Sequence, residues 1–126
     1  MKEMNINKTE QKNDLSSWKY QDRGDRELVQ EIRKTLQKVY DPEFPLVDME
    51  TLGLFYAVDG EKEQKKITIT MTFTTPACPM GDLITEMVKN ELKKVFTDWD
   101  IQIEITFEPL WTPKMIKDQD LQRMFE

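Results

Sequence analysis

The sequence predicts an α+β fold: a compact two-layer α/β sandwich in α-β-β-α-β order, with a small mixed sheet covered by helices on one face. Three observations carry this expectation. "KITITMTFT" alternates Ile67, Ile69, Met71 and Phe73 with Thr68, Thr70, Thr72 and Thr74, which is the period of a strand with one buried face. Two stretches repeat apolar residues every three or four positions, as amphipathic helices do. Each predicted strand carries a single apolar face, so the sheet needs covering on one side only.

Residues 1–22 are rich in Lys, Asn, Gln, Glu and Asp and hold too little apolar surface to offset the cost of ordering. They are expected to form a flexible polar tail, with residues 23–126 a single domain. Trp18 and Tyr20 either dock on that domain or stay with the tail. Over residues 25–39 the stripe Leu28, Val29, Ile32, Leu36, Val39 predicts a first helix, with Asp25 as its N-cap. "YDPEFP" ends it, because Pro42 and Pro45 cannot continue a helix.

"LGLFYAVDG" predicts a strand with Leu52, Leu54, Tyr56 and Val58 on one face, turning near Asp59-Gly60. "EKEQK" is a loop leading to the Ile/Thr strand. Pro79 suits the first turn of a second helix, whose stripe runs through Leu83, Ile84, Met87, Val88, Leu92, Val95 and Phe96. "DIQIEITF" predicts a third strand with Ile101, Ile103, Ile105 and Phe107 inward. The strand–helix–strand unit implies a right-handed crossover between parallel strands. "EPLWTPKM" breaks regular structure, and "KDQDLQRMF" suits a short last helix.

The chain has 126 residues, a net charge of −6, one cysteine and no histidine. One cysteine forms no internal disulfide, and the lack of imidazole excludes Ser-His-Asp and Cys-His catalysis. It also excludes a self-contained Cys/His zinc site. The acidic balance opposes binding to a phosphate backbone. No apolar run is long enough to span a membrane, and the N-terminus lacks a signal-peptide core. A cytoplasmic protein without nucleic-acid partners is expected.

Chemistry centres on "TTPACPMGD". Cys78 falls between a strand and a helix start, where outward N–H groups and the helix dipole favour a thiolate. Thr74 and Thr75 supply hydroxyl donors upstream. The competing reading is a small buried hydrophobe. Asp41 and Glu43 bracket Pro42, either as a rigid acidic pair or as an ordinary turn. Asp48 and Glu50 read as solvated loop acids. Trp111 and Pro113 form either an exposed partner surface or a tryptophan folded back on the core.

"DPEFPLVD", "LGLFY", "MTFTTPACPMGD" and "PLWTPKM" occur in the order and rough spacing of one family. The chain resembles the metal–sulfur (iron–sulfur) cluster assembly proteins of the SufT-like and PaaD-like group over residues 25–116. The resemblance implies a maturation factor that hands clusters to apoproteins, as a labile cluster carrier or adaptor and not an enzyme. Its implied cofactor is a transient, labile iron–sulfur cluster, and its implied partners are apoproteins and cluster scaffold proteins. Cys78 maps to the cluster ligand, and Asp41, Glu43, Thr74 and Thr75 to residues that shape the site.

Phe44 stands where leucine is usual, and Ala77 where glycine is usual. The C-terminal "KMIKDQDLQRMFE" departs from the family's small-residue helix, and the cysteine-rich module of the phenylacetate-pathway members is lacking. A cluster usually takes four protein ligands and this chain has one thiol, so either a homodimer shares the cluster or Cys78 holds it only in passing. Two other classes compete: a metal-free protein–protein adaptor and a single-cysteine redox sensor. The element order also matches some KH-type RNA-binding domains, but no Gly-x-x-Gly loop occurs.

Overall fold

The computed structural model describes residues 19–42, 44–76 and 80–125. Strand β1 (Arg23–Gly24) leads into helix α1 (Arg26–Leu36). Asp25 caps that helix by accepting a hydrogen bond from the Leu28 amide at 3.0 Å, an interaction worth about 1 kcal/mol. Leu28, Val29, Ile32 and Leu36 are buried along its predicted stripe. A small antiparallel hairpin follows, β2 (Tyr40–Asp41) with β3 (Phe44–Asp48). Then come β4 (Phe55–Glu61), β5 (Lys66–Met71), α2 (Gly81–Val95) and β6 (Asp100–Ile105). A 3-10 turn (Pro113–Met115) and helix α3 (Gln119–Phe125) complete the described chain.

The main sheet has the order β1-β4-β5-β6, with β1 parallel to β4, β4 antiparallel to β5, and β5 parallel to β6. It is the small mixed sheet the patterning implies, and α2 makes the expected crossover between β5 and β6. Ile67, Ile69 and Met71 of β5 point into the core with Val58 of β4. Ile32 and Leu36 of α1 and Ile84, Val88 and Leu92 of α2 cover them. Each such side chain contributes about 1.5–3 kcal/mol by leaving water.

Several boundaries differ from the sequence reading. Strand β4 starts at Phe55, and Leu52 and Gly53 lie in the turn before it. A register shift between Phe55 and Ala57 lets Phe55 and Tyr56 both be buried, which strict alternation forbids. Strand β5 ends at Met71, and the Thr72 amide still bonds Leu54 O at 2.9 Å, the position next in register after Phe55 and Met71. Helix α2 starts at Gly81, two residues after the proline expected to open it. Strand β6 lies at the sheet edge, so its predicted inward row fades from buried Ile101 to Ile105, which is 40% exposed.

Residues 20–24 and the segment around Met115 are fastened to this sheet. The Gln21 amide bonds Tyr56 O at 2.9 Å, and Tyr20 Oη donates to Met115 O at 2.6 Å. Gly24, at φ +91°, lies so close to Gly60 that a Cβ would collide with the Gly60 carbonyl. Gly53, at φ +81°, likewise leaves room for the Met115 carbonyl. Residues 1–18 of the expected tail, including Trp18, lie outside the described residues.

Candidate functional site at one end of the sheet

Topology gathers the sequence motifs at one end. Phe55 is the register partner of Met71, so the turn before β4 and the loop after β5 share that end. Strand β6 runs parallel to β5, so the segment after Ile105 leaves there too. Three backbone bonds tie these pieces together: Met49 to Val39 O at 2.8 Å, Leu54 to Met49 O at 3.2 Å, and Thr72 to Leu54 O at 2.9 Å. They link the foot of the β2–β3 hairpin to the start of the loop that contains Cys78.

Cys78 and Glu43 themselves lie outside the described residues. Asp41 is buried at 5% exposure, pairs in register with Phe44, and takes part in a further interaction. Thr74 and Thr75 are exposed, and Thr75 is engaged by a neighbour. Phe73 packs beside Phe107, with ring centroids 6.3 Å apart, and closes the core beneath the loop. Among the described residues, no three His, Cys, Asp or Glu side chains are grouped to hold a metal ion.

Trp111 is half-buried and donates its indole N–H to Leu52 O at 2.7 Å, so it folds back on the protein. Pro113 opens the 3-10 turn that Thr112 caps by accepting from the Lys114 amide. The exposed apolar side chains nearest to these motifs in the chain are Tyr40, Leu46 at 82%, Leu83 and Leu110.

Sequence reasoning missed a charged cluster behind this end. Glu50 is no solvated loop acid; it is buried and pairs with Arg33 at 2.8 Å and with Lys117. Arg33 also grips Asp22 with two hydrogen bonds of 2.7 and 2.8 Å and donates to Phe55 O at 3.2 Å. The Tyr20 ring lies 5.3 Å from the Arg33 guanidinium carbon and 4.4 Å from Lys117 Nζ. Burial opposes the charge on Arg33, but the Asp22 hydrogen bond and the charges of Glu50 and Asp22 outweigh it and raise its pKa. Asp48 instead caps a turn, accepting from the Thr51 amide and hydroxyl at 2.8 Å each. The only sequence cue was an acid beside an apolar run, with partners far along the chain.

Burial of the Tyr56 phenol pushes its pKa up to about 12. Its hydroxyl donates to Pro109 O at 2.8 Å, holding the segment after β6 against β4.

The frame that gathers these motifs is shared by known proteins. Residues 29–105 match the family described as iron-sulfur cluster assembly protein. A Porphyromonas gingivalis protein named Fe-S protein maturation auxiliary factor is 39% identical over 90 residues, covering 71% of this chain and 84% of that protein. Fe-S protein maturation auxiliary factor SufT of Staphylococcus aureus is 37% identical over 78 residues, 62% of this chain and 86% of the relative. The crystal structure of a domain of unknown function from Bacillus anthracis superposes with a TM-score of 0.70 at 27% identity, covering 78% of this chain and 91% of that one. A conserved hypothetical protein from Thermotoga maritima gives 0.66 at 30% identity, covering 76% and 91%. The chain belongs to the iron–sulfur cluster assembly protein family.

Proposed function

We propose that this protein is a maturation factor for iron–sulfur proteins, acting as a labile cluster carrier or adaptor in the cytoplasm and without catalytic turnover. The observation that supports this most is the convergence of the family's motifs on the end of the sheet from which the Cys78 loop departs. The relatives' names, Fe-S protein maturation auxiliary factor, point to the same role.

In this reading the cluster is cargo. Cys78 is the sulfur ligand, and Asp41, Glu43, Thr74 and Thr75 shape its surroundings. One thiol in the chain falls short of the four ligands a cluster usually takes, so holding is brief or shared across a homodimer. Apoproteins and cluster scaffold proteins are the partners.

Anaerobic reconstitution with iron and sulfide tests this, comparing the wild type with Cys78→Ser by visible absorbance and bound iron. Uptake by the wild type that is lost in the variant supports carriage. Uptake by neither protein sinks the carrier and leaves a metal-free adaptor, a role that the exposed Tyr40, Leu46 and Leu83 also suit.

A further inference from the structure

Helices α1 and α2 cover one face of the main sheet, and the other face carries a groove of about 550 Å³. Register aligns two rows across its floor. Ala57, Thr70 and Glu104 form one, and Arg23, Asp59, Thr68 and Gln102 the other. Glu108 and Pro109 close the groove at the end where the chain leaves β6. Three carboxylates, on Asp59, Glu104 and Glu108, therefore line a depression that holds one cation, Arg23.

Asp59 is the informative residue. Its Oδ1 is buried and has no hydrogen-bond partner, although Arg23 is its register neighbour. A buried carboxylate oxygen without a donor is costly, and a cationic donor is the group that best relieves it. Beside it on the same face, Ala57 adds only a methyl group to the groove lining. The hydroxyls of Thr68, Thr70 and Thr106 add donors and acceptors along the groove.

We propose that this face, which no helix among the described residues covers, docks an extended segment of a partner protein bearing a lysine or arginine. The cationic side chain lies along Ala57 with its head at the Asp59 carboxylate, and Glu104 and Glu108 flank it. Charge complementarity selects this occupant: the groove has an excess of acid, within a chain of net charge −6. Its span across β4, β5 and β6 suits an extended chain better than a lone ion. The proposal stands apart from Cys78, since none of the residues it uses belongs to the cysteine loop.

The experiment is a two-dimensional amide NMR titration of the full chain with the peptide acetyl-Thr-Lys-Thr-Lys-Thr-amide, and with its glutamate counterpart. The lysine peptide should shift signals of residues 21–23, 57–59, 68–70 and 104–108, and the glutamate peptide should not. Asp59→Asn should weaken binding by about tenfold, the loss of one charge-assisted hydrogen bond. Glu104→Gln, at an exposed position, should weaken it less. No shifts, equal response to both peptides, shifts confined to other surfaces, or unchanged affinity in Asp59→Asn would each overturn the proposal.

Discussion

The charged cluster around Glu50 and the uncovered face around Asp59 use the same residue types to opposite ends. In the cluster, Arg33 lies between Asp22 and Glu50, Lys117 reaches Glu50, and the Tyr20 ring stacks over both cations. On the face, Asp59 and Arg23 are register partners on adjacent strands, yet Asp59 Oδ1 has no donor. Satisfied charges fasten the chain's terminal segments to the domain. An unsatisfied one, on a face that no helix among the described residues covers, is what the proposed partner would engage. The pairing state of a charge separates scaffold from working surface here better than its burial does.

The largest effect expected from breaking this contrast comes from Arg33→Ala. It leaves Glu50 buried with Lys117 alone and Asp22 with only the Val58 amide, so unfolding in urea should show a loss of about 3 kcal/mol. A loss below about 1 kcal/mol would mean that the cluster contributes no more than surface pairs do.

A smaller effect is expected at Tyr56, which lines the groove and whose hydroxyl reaches the sulfur of Met115, the residue whose carbonyl accepts from Tyr20. Its phenol is raised to about 12 in the folded chain, against about 10 when unfolded. The neutral form is the one the fold favours. Its contribution is therefore fully present below pH 10 and is lost as pH rises towards 12. Absorbance titration should show one of the three tyrosines ionising late, and Tyr56→Phe should remove that phase. That variant should also lose about 1 kcal/mol with the hydrogen bond to Pro109 O.

The smallest effect belongs to Asp59→Asn, which removes a charge that no partner satisfies. Thermal unfolding should show no loss relative to the wild type and a small gain, as the cost of the donorless oxygen is relieved. A large loss would show that Asp59 has a structural partner and would erase the contrast with Glu50.

The legible parts of the fold were those with local causes. The α1 stripe and the Asp25 cap are written within a dozen positions, and the Ile/Thr alternation of β5 is a direct record of its two faces. Strand β1 was not legible, since Arg23–Gly24 has no alternation and exists through its register with Asp59 and Gly60. The β2–β3 hairpin read as a mere break because of its prolines, yet Pro45 sits in β3 of a two-stranded sheet, where a missing N–H is tolerated.

At the site, the family motifs and Cys78 were visible in the sequence, and topology added that their segments meet at one end. The burial of Glu50 was not visible, because Arg33 and Lys117 are brought to it only by the tertiary fold. Asp59 looked like the start of a turn. Its isolation follows from a face that no helix among the described residues covers.

The bond from Tyr20 to Met115 carries a consequence for how this chain can be engineered. The entering and leaving segments meet on the same side, while the β4–β5 connection at Lys62–Lys65 is an exposed turn. A circular permutant with its ends opened in that turn and a short linker between residues 124 and 19 would keep every strand pairing in place. Fluorophores or fusion partners could then be mounted at the far end of the sheet, away from both the cysteine loop and the tethered termini.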